Sequence, residues 1–314
     1  MNLDVAAPCA EQSLAVGEPL RATALEKIDL WLLLEVDGRW PARTEEAQFP
    51  LGVREWLAEI RRLKPATRLL FIRQPQREGS VRVMSLLTEG ERQLRAFEFD
   101  SLDCVASLPV EALVGPSEMD GCVGACEAPS ELFLVCAHGR RDRCCAKRGV
   151  ALYNALEEHL PRDEVWQCSH LGGHRFAATV VHLPSATHYG RVRVEQASQL
   201  VQASLAGEIF HLANYRGCCD LARPAQAAEA VIRELSAERR FGAVQFLSMV
   251  ESGDAWDCRL MLGEQHHLVR VARRQLDVSR AASCGAETLS PVVVYEVLRH
   301  GCSTDGTSEL VASF

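Results

Sequence analysis

Short, dense apolar runs alternate with amphipathic stretches along the chain, and the pattern divides it into three units. Residues 28–36, IDLWLLLEV, are a continuous apolar run of strand length, which predicts a buried strand. Pro50 opens LGVREWLAEIRRL, where apolar positions recur at helical spacing. TRLLFIRQP, VRVMSLLTEG and RQLRAFEF follow as three strands between polar or glycine-containing turns. Residues 1–120 are therefore expected to form a small, self-sufficient α/β domain, without a glycine-rich phosphate loop or a close carboxylate arrangement. The stretch 114–130, VGPSEMDGCVGACEAPS, has neither helical nor strand periodicity and reads as a domain boundary.

Residues 127–222 repeat the α/β theme in a different order. ELFLVCAHG runs as a strand into a loop, and CAKRGVALYNALEEHL continues as a helix with Val150, Leu152, Tyr153, Leu156 and Leu160 on its apolar stripe. EVWQCSH is a second strand, LGGHRF a sharp glycine loop, AATVVHLPSATHYGRVRV a hairpin and EQASQLVQASLAGEIF a closing helix. The order β-α-β-hairpin-α is that of a thioredoxin-like domain, while length alone would admit other α/β sandwiches. Residues 223–314 read as an α+β tail unit: one helix, AQAAEAVIRELSAERR, and a three-stranded meander, AVQFLSMV, WDCRLML and HLVRVARRQ. His266 and His267 fall in its predicted turn GEQHH and are expected to be solvated.

Bulk composition narrows the function classes. The 314 residues carry a formal charge of -8 with a pI near 5.7, which argues against a nucleic-acid binder. The start, MNLDVAAPCAEQS, lacks a basic segment ahead of an apolar core, and no apolar run is long enough to span a bilayer, so a cytoplasmic protein without membrane insertion is expected. Thirteen cysteines in such a chain point to reduced thiols or metal ligands rather than disulfides. Cys9, Cys104, Cys258, Cys284 and Cys302 stand singly and read as small buried apolar residues.

Two stretches stand out chemically: LVCAHGRRDRCCAKRG, 134–149, and WQCSHLGGHRFA, 166–177. In each, a strand gives way to a loop, the position where α/β sheets present ligand groups. Two thiolates and two imidazoles meeting there suit zinc or a Rieske-type iron–sulfur cluster. The eight residues between Cys136 and Cys145 are too many for a zinc knuckle and suit wrapping a larger object. His138 reads as a loop residue near the site rather than a ligand.

The motifs VCAHGRRDRCCAKRG, WQCSHLGGHRFA and YGRV, in this order, resemble the sucrase/ferredoxin-like family, which is related to the fungal actin-patches-distal proteins. The resemblance implies a thioredoxin-like ferredoxin domain and a [2Fe-2S] cluster. Laid without gaps on this chain, the fungal loop C-G-H-x-x-R-D-x-R-C-G puts ligands at Cys136 and Cys145, with the H-x-x-x-H pair on His170 and His174. The fungal loop ends in one cysteine, whereas Cys144 and Cys145 are adjacent here, so Cys144 is the alternative second ligand. Arg141, Asp142, Arg175, Tyr189 and Arg191 are implied to tune the site or dock a partner. Thr179 stands where the family usually has asparagine.

Two thiolates and two neutral imidazoles leave an oxidised cluster uncharged, where four thiolates leave it doubly negative. Histidine ligation therefore raises the potential, to about -150 to +300 mV for Rieske centres against roughly -400 mV for plant-type ferredoxins. An imidazole ligand also retains a titratable ring nitrogen, which couples reduction to protonation. An electron carrier or redox sensor with unidentified donor and acceptor proteins is expected, rather than a stand-alone enzyme. Sucrase activity finds no support, because no carboxylate pair suited to glycoside hydrolysis is identified. The competing readings are a zinc-binding (Zn2+) structural protein and a thioredoxin-like thiol oxidoreductase without a cluster.

Overall fold

The computed structural model describes residues 6–115, 121–304 and 312–313, so part of the predicted boundary, 116–120, lies outside the described residues. In chain order the N-terminal part comprises α1 (Cys9–Ala15), β1 (Leu30–Glu35), α2 (Leu51–Leu63), β2 (Thr67–Arg73), β3 (Val81–Leu87), β4 (Arg95–Phe99), α3 (Glu111–Val114) and β5 (Ala125–Cys126). The middle part comprises β6 (Leu132–Cys136), α4 (Val150–Glu157), β7 (Val165–Cys168), β8 (Val180–Leu183), β9 (Thr187–Tyr189), α5 (Ala197–Leu205) and β10 (Tyr215–Cys218). The last part holds α6 (Arg223–Ser236), β11 (Val244–Ser252), β12 (Ala255–Leu262), β13 (Gln265–Ala281), β14 (Leu289–Ser303) and β15 (Ala312–Ser313).

The fold is mixed α/β. One ten-stranded sheet, in the order β10-β9-β8-β6-β7-β2-β1-β3-β4-β5, runs through both the first and the middle part. The order β9-β8-β6-β7, with β6 parallel to β7 and β8 antiparallel to β6, is the predicted thioredoxin-like arrangement. What joins the two halves is a short antiparallel contact, Ile72 to Cys168 and Arg73 to Gln167. The second sheet, β11 to β15 in order, is antiparallel throughout.

Period-two alternation explains how the large sheet is covered. Leu30, Leu32 and Leu34 of β1 pack with α2 residues Val53, Trp56, Leu57 and Ile60, while Trp31 and Leu33 face a core on the other side. In β6, Phe133 and Val135 meet Leu152, Tyr153 and Leu156 of α4 and Leu200 of α5. Leu132, Leu134 and Cys136 join the core that holds Trp31. The apolar face of α6, with Ala227, Ala228, Val231 and Ile232, packs onto Cys258, Leu260, Val269 and Val271 of the second sheet.

Two expectations for the tail are corrected. The long strand β14 lies outside the predicted three-stranded meander and pairs along much of β13. His267 is not solvated: β13 already begins at Gln265, and His267 is buried against His300, Nδ1 to Nε2 at 2.9 Å with stacked rings. The stacking of that pair follows from β13–β14 pairing, which the turn residues cannot report. Among the described residues no helix is long and apolar enough to cross a membrane.

Candidate metal centre

Cys136 is the last residue of β6, and β7, parallel to it, ends at Cys168 in register with it. Parallel neighbours put the following loops at the same sheet edge, so His170 emerges beside Cys136. After β6 the chain turns through His138, whose carbonyl accepts the amides of Arg141 and Asp142, both at 3.1 Å. Cys145–Gly149 then form a π-helical turn leading into α4, where a regular helix is predicted. Gly149 explains how this turn reaches the strand: a Cβ there would lie 1.9 Å from the Cys136 carbonyl oxygen. Only glycine permits that approach, which carries Cys145 to Cys136.

The second loop is turned by Gly172 (φ +81°) and Gly173 (φ +69°), a left-handed pair that favours glycine. Below it lies the fully buried Arg216, which donates from Nη1 to the Gly172 carbonyl at 3.1 Å and from Nη2 to the Thr23 carbonyl. The result is a stack of His170 on His174, ring centroids 4.8 Å apart and 27° from parallel. Arg68 donates to the His170 carbonyl.

The two thiols and one imidazole converge: ligand atoms of Cys136, Cys145 and His170 lie within 4.8 Å of one another, with Cys136 Sγ 4.0 Å from His170 Nδ1. His174 stacks on His170 but lies outside this group of mutually close ligand atoms. Its Nε2 is bound to the Ala282 carbonyl at 2.8 Å, which fixes the proton there, and its buried Nδ1 has no hydrogen-bond partner among the described residues. A ring with one nitrogen anchored to a carbonyl and the other bare is the state of a metal-ligating histidine. The donor set that converges is thus two thiols and one imidazole, able to hold a metal ion, with His174 stacked beside it.

The electrostatics agree with ligand chemistry. A hydrogen bond from Cys145, reinforced by His170, holds the Cys136 thiol well below its ordinary value. The same bond and burial push Cys145 up. Burial, together with neighbouring His170, lowers His174 to about 4, keeping it neutral and able to ligate. Cys136 and Cys145 are 1% and 0% exposed, whereas His170 is half-buried and lines a cavity of about 230 Å³ with Arg43, Arg68, His138 and Arg141.

The neighbouring cysteine takes another direction. The Cys144 thiol lies with Cys9, Asp142 and Cys284, whose ligand atoms are also mutually within 4.8 Å. Asp142 accepts the amides of Cys144 and Cys284, both at 2.8 Å, which outweighs the opposing effect of burial and keeps its carboxyl below the ordinary value. Arg175 and Arg191 flank Phe176 and fasten the N-terminal segment over the glycine loop. Arg175 Nε meets Glu18 Oε1 at 2.8 Å, and Arg191 Nη2 donates to the Glu18 carbonyl at 2.7 Å. Tyr189 is core, its hydroxyl accepting the Phe210 amide at 3.3 Å. Arg141 remains exposed at the cavity mouth. Thr179 is buried, with its carbonyl accepting the Cys136 amide at 3.1 Å.

Sequence reasoning missed Cys9 and Cys284, assigned above to bland burial, as well as Arg68, Arg216 and Glu18. The adjacent Cys144 and Cys145 were the available signal, since neighbouring side chains on a helical turn diverge and cannot both point at one centre.

The sequence profile of a family described as sucrase/ferredoxin-like matches residues 22–217. Altered inheritance of mitochondria protein 32 from Meyerozyma guilliermondii is 31% identical over 96 residues, 28% of this chain and 34% of that one. Proteins of the same name from Debaryomyces hansenii and Eremothecium gossypii are 32% identical over 96 residues and 33% over 100, covering 28% and 27% of this chain and 35% and 32% of theirs. The chain spans about a third of the length of the curated relatives it matches. No solved structure matches it.

Proposed function

This chain belongs to the sucrase/ferredoxin-like family, and on that premise we propose that it holds a [2Fe-2S] cluster and serves as a one-electron carrier or redox sensor. Cys136 and Cys145 would hold the cluster through sulfur and His170 and His174 through Nδ1. When bound, the cluster supplies reversible one-electron chemistry at a potential raised by histidine ligation. The convergence of Cys136, Cys145 and His170, with the bare Nδ1 of His174 beside them, carries this reading.

The protein's own residues divide the work. The Ala282 carbonyl keeps the proton on His174 Nε2, while half-buried His170 faces the cavity. Arg43, Arg68 and Arg141 outnumber Glu45 around that cavity, an excess of positive charge that suits an acidic redox partner. Burial of both thiols argues against disulfide exchange, which needs an accessible thiolate. We place the protein in the cytoplasm, where a chain this rich in cysteine keeps its thiols reduced or bound to metal. The name of the fungal relatives refers to mitochondria, a statement about those proteins.

One observation favours zinc as a second reading: the 4.0 Å between Cys136 Sγ and His170 Nδ1 is near the ~3.5 Å edge of a zinc tetrahedron. Absorption and EPR spectra of anaerobically purified protein separate the two. A red-brown protein with a paramagnetic reduced state is expected, and a colourless one with zinc in place of iron overturns the cluster. Cys145→Ser should abolish the spectrum and Cys144→Ser preserve it. A midpoint potential that stays flat from about pH 6 to 10 would remove the proton-coupled role of the histidines.

A further inference from the structure

We propose that Cys9, Cys144 and Cys284, with the carboxylate of Asp142, form a second metal site that binds one zinc ion, separate from the Cys136–Cys145 centre. The three sulfur atoms make a closed triangle: Cys9 to Cys144 3.8 Å, Cys9 to Cys284 3.6 Å and Cys144 to Cys284 3.3 Å. Around a tetrahedral zinc with bonds of about 2.3 Å to sulfur, the sulfur–sulfur edge is ~3.8 Å. The carboxylate oxygens of Asp142 lie 3.8 and 3.7 Å from Cys9 Sγ, against ~3.6 Å for the sulfur–oxygen edge of the same tetrahedron. The four donors therefore already stand near the corners of a zinc coordination sphere.

The surroundings fit such a site. Cys9, Asp142 and Cys144 are buried, and three free thiols around a buried carboxylate are an unusual use of core volume. Asp142 is oriented by the amides of Cys144 and Cys284, as ligating carboxylates commonly are. The Arg143 side chain reaches Cys284 and offsets part of the negative charge that three thiolates would bring. Thiolate-rich tetrahedral donors select zinc over magnesium or calcium.

The donors come from three distant places: Cys9 from α1, Asp142 and Cys144 from the loop after β6, and Cys284 from the turn between β13 and β14. Cys9 and Cys284 both lie outside the span 22–217 that matches the family. An ion here would staple the N-terminal helix and the second sheet onto the loop that positions Cys145. It would also hold Ala282, and with it His174, in place.

Metal analysis of the full chain, purified anaerobically and freed of loosely bound ions, tests the proposal. About one equivalent of zinc per chain is expected besides the content of the other centre. Cys9→Ser and Cys284→Ser should each lose that zinc. Cys136→Ser should keep it, so that failure of the cluster reading and failure of this one give different results. Because a variant can fail to fold, wild-type protein loaded with CoCl2 provides a second readout: intense sulfur-to-cobalt charge-transfer absorption is expected. Absence of zinc even after incubation with ZnCl2, zinc retained in both serine variants, cobalt without thiolate absorption, or a Cys144–Cys284 disulfide in the anaerobic protein would each overturn the second site.

Discussion

Replacing Gly149 by alanine should dismantle the candidate centre without touching a ligand. Helix propensity by itself favours alanine over glycine by roughly 0.5–1 kcal/mol, so a local argument predicts slight stabilisation. The tertiary structure reverses the sign. The added methyl would stand 1.9 Å from the Cys136 carbonyl oxygen, and ~3.3 Å is the closest comfortable carbon–oxygen approach. Strand β6 and the π-helical turn must therefore part by about 1.4 Å, the difference between those distances. Overpacking of this kind costs about 1–3 kcal/mol, more when backbone is the obstacle, as it is here. Cys145 lies one turn before Gly149, so the shift separates its sulfur from that of Cys136. The assay is iron per chain together with thermal unfolding. Gly149→Ala is expected to lose most of its iron and melt several degrees lower. Gly139→Ala is the control in the same loop, where the new Cβ would meet only the Ala146 methyl, at 3.1 Å. Wild-type iron and an unchanged melting temperature in Gly149→Ala would refute the claim that this approach positions Cys145.

Glu18→Gln should destabilise the fold by about 3–5 kcal/mol in urea unfolding, because it strands the guanidinium groups of Arg280 and Arg175, paired to Glu18 at 2.7 and 2.8 Å; a loss under about 1 kcal/mol would contradict it. His188 is buried beside Arg216, whose Nη1 donates to its Nε2 at 2.7 Å, and burial and that charge hold its pKa well below the ordinary value. The unfolded chain takes up a proton below about pH 6.5 that the folded ring refuses, so this contribution to stability is present above that pH and lost as pH falls. Relative to His188→Gln, wild-type stability should fall by about 2 kcal/mol between pH 7 and 5, and parallel curves for the two proteins would refute the reading.

The sequence alone determined the elements and the chemistry that lies close in the chain. Alternation in β1 and β6, the apolar stripe of α4 and the glycine loop between His170 and His174 are local patterns, and each has a short period to be read. They locate Cys136 at a strand end and the two histidines in the glycine loop after the next strand, which is why the centre was legible. Only the tertiary structure decided that β2 pairs with β7 to make one sheet, that Gly149 touches Cys136, and that Cys145 faces the centre while Cys144 turns to Cys9 and Cys284. Cys9 and Cys284 lie 275 residues apart, and nothing in either neighbourhood records the other. Contacts of that length arise from packing α1 and the second sheet against the large one, a non-local event that leaves no periodic trace in the sequence.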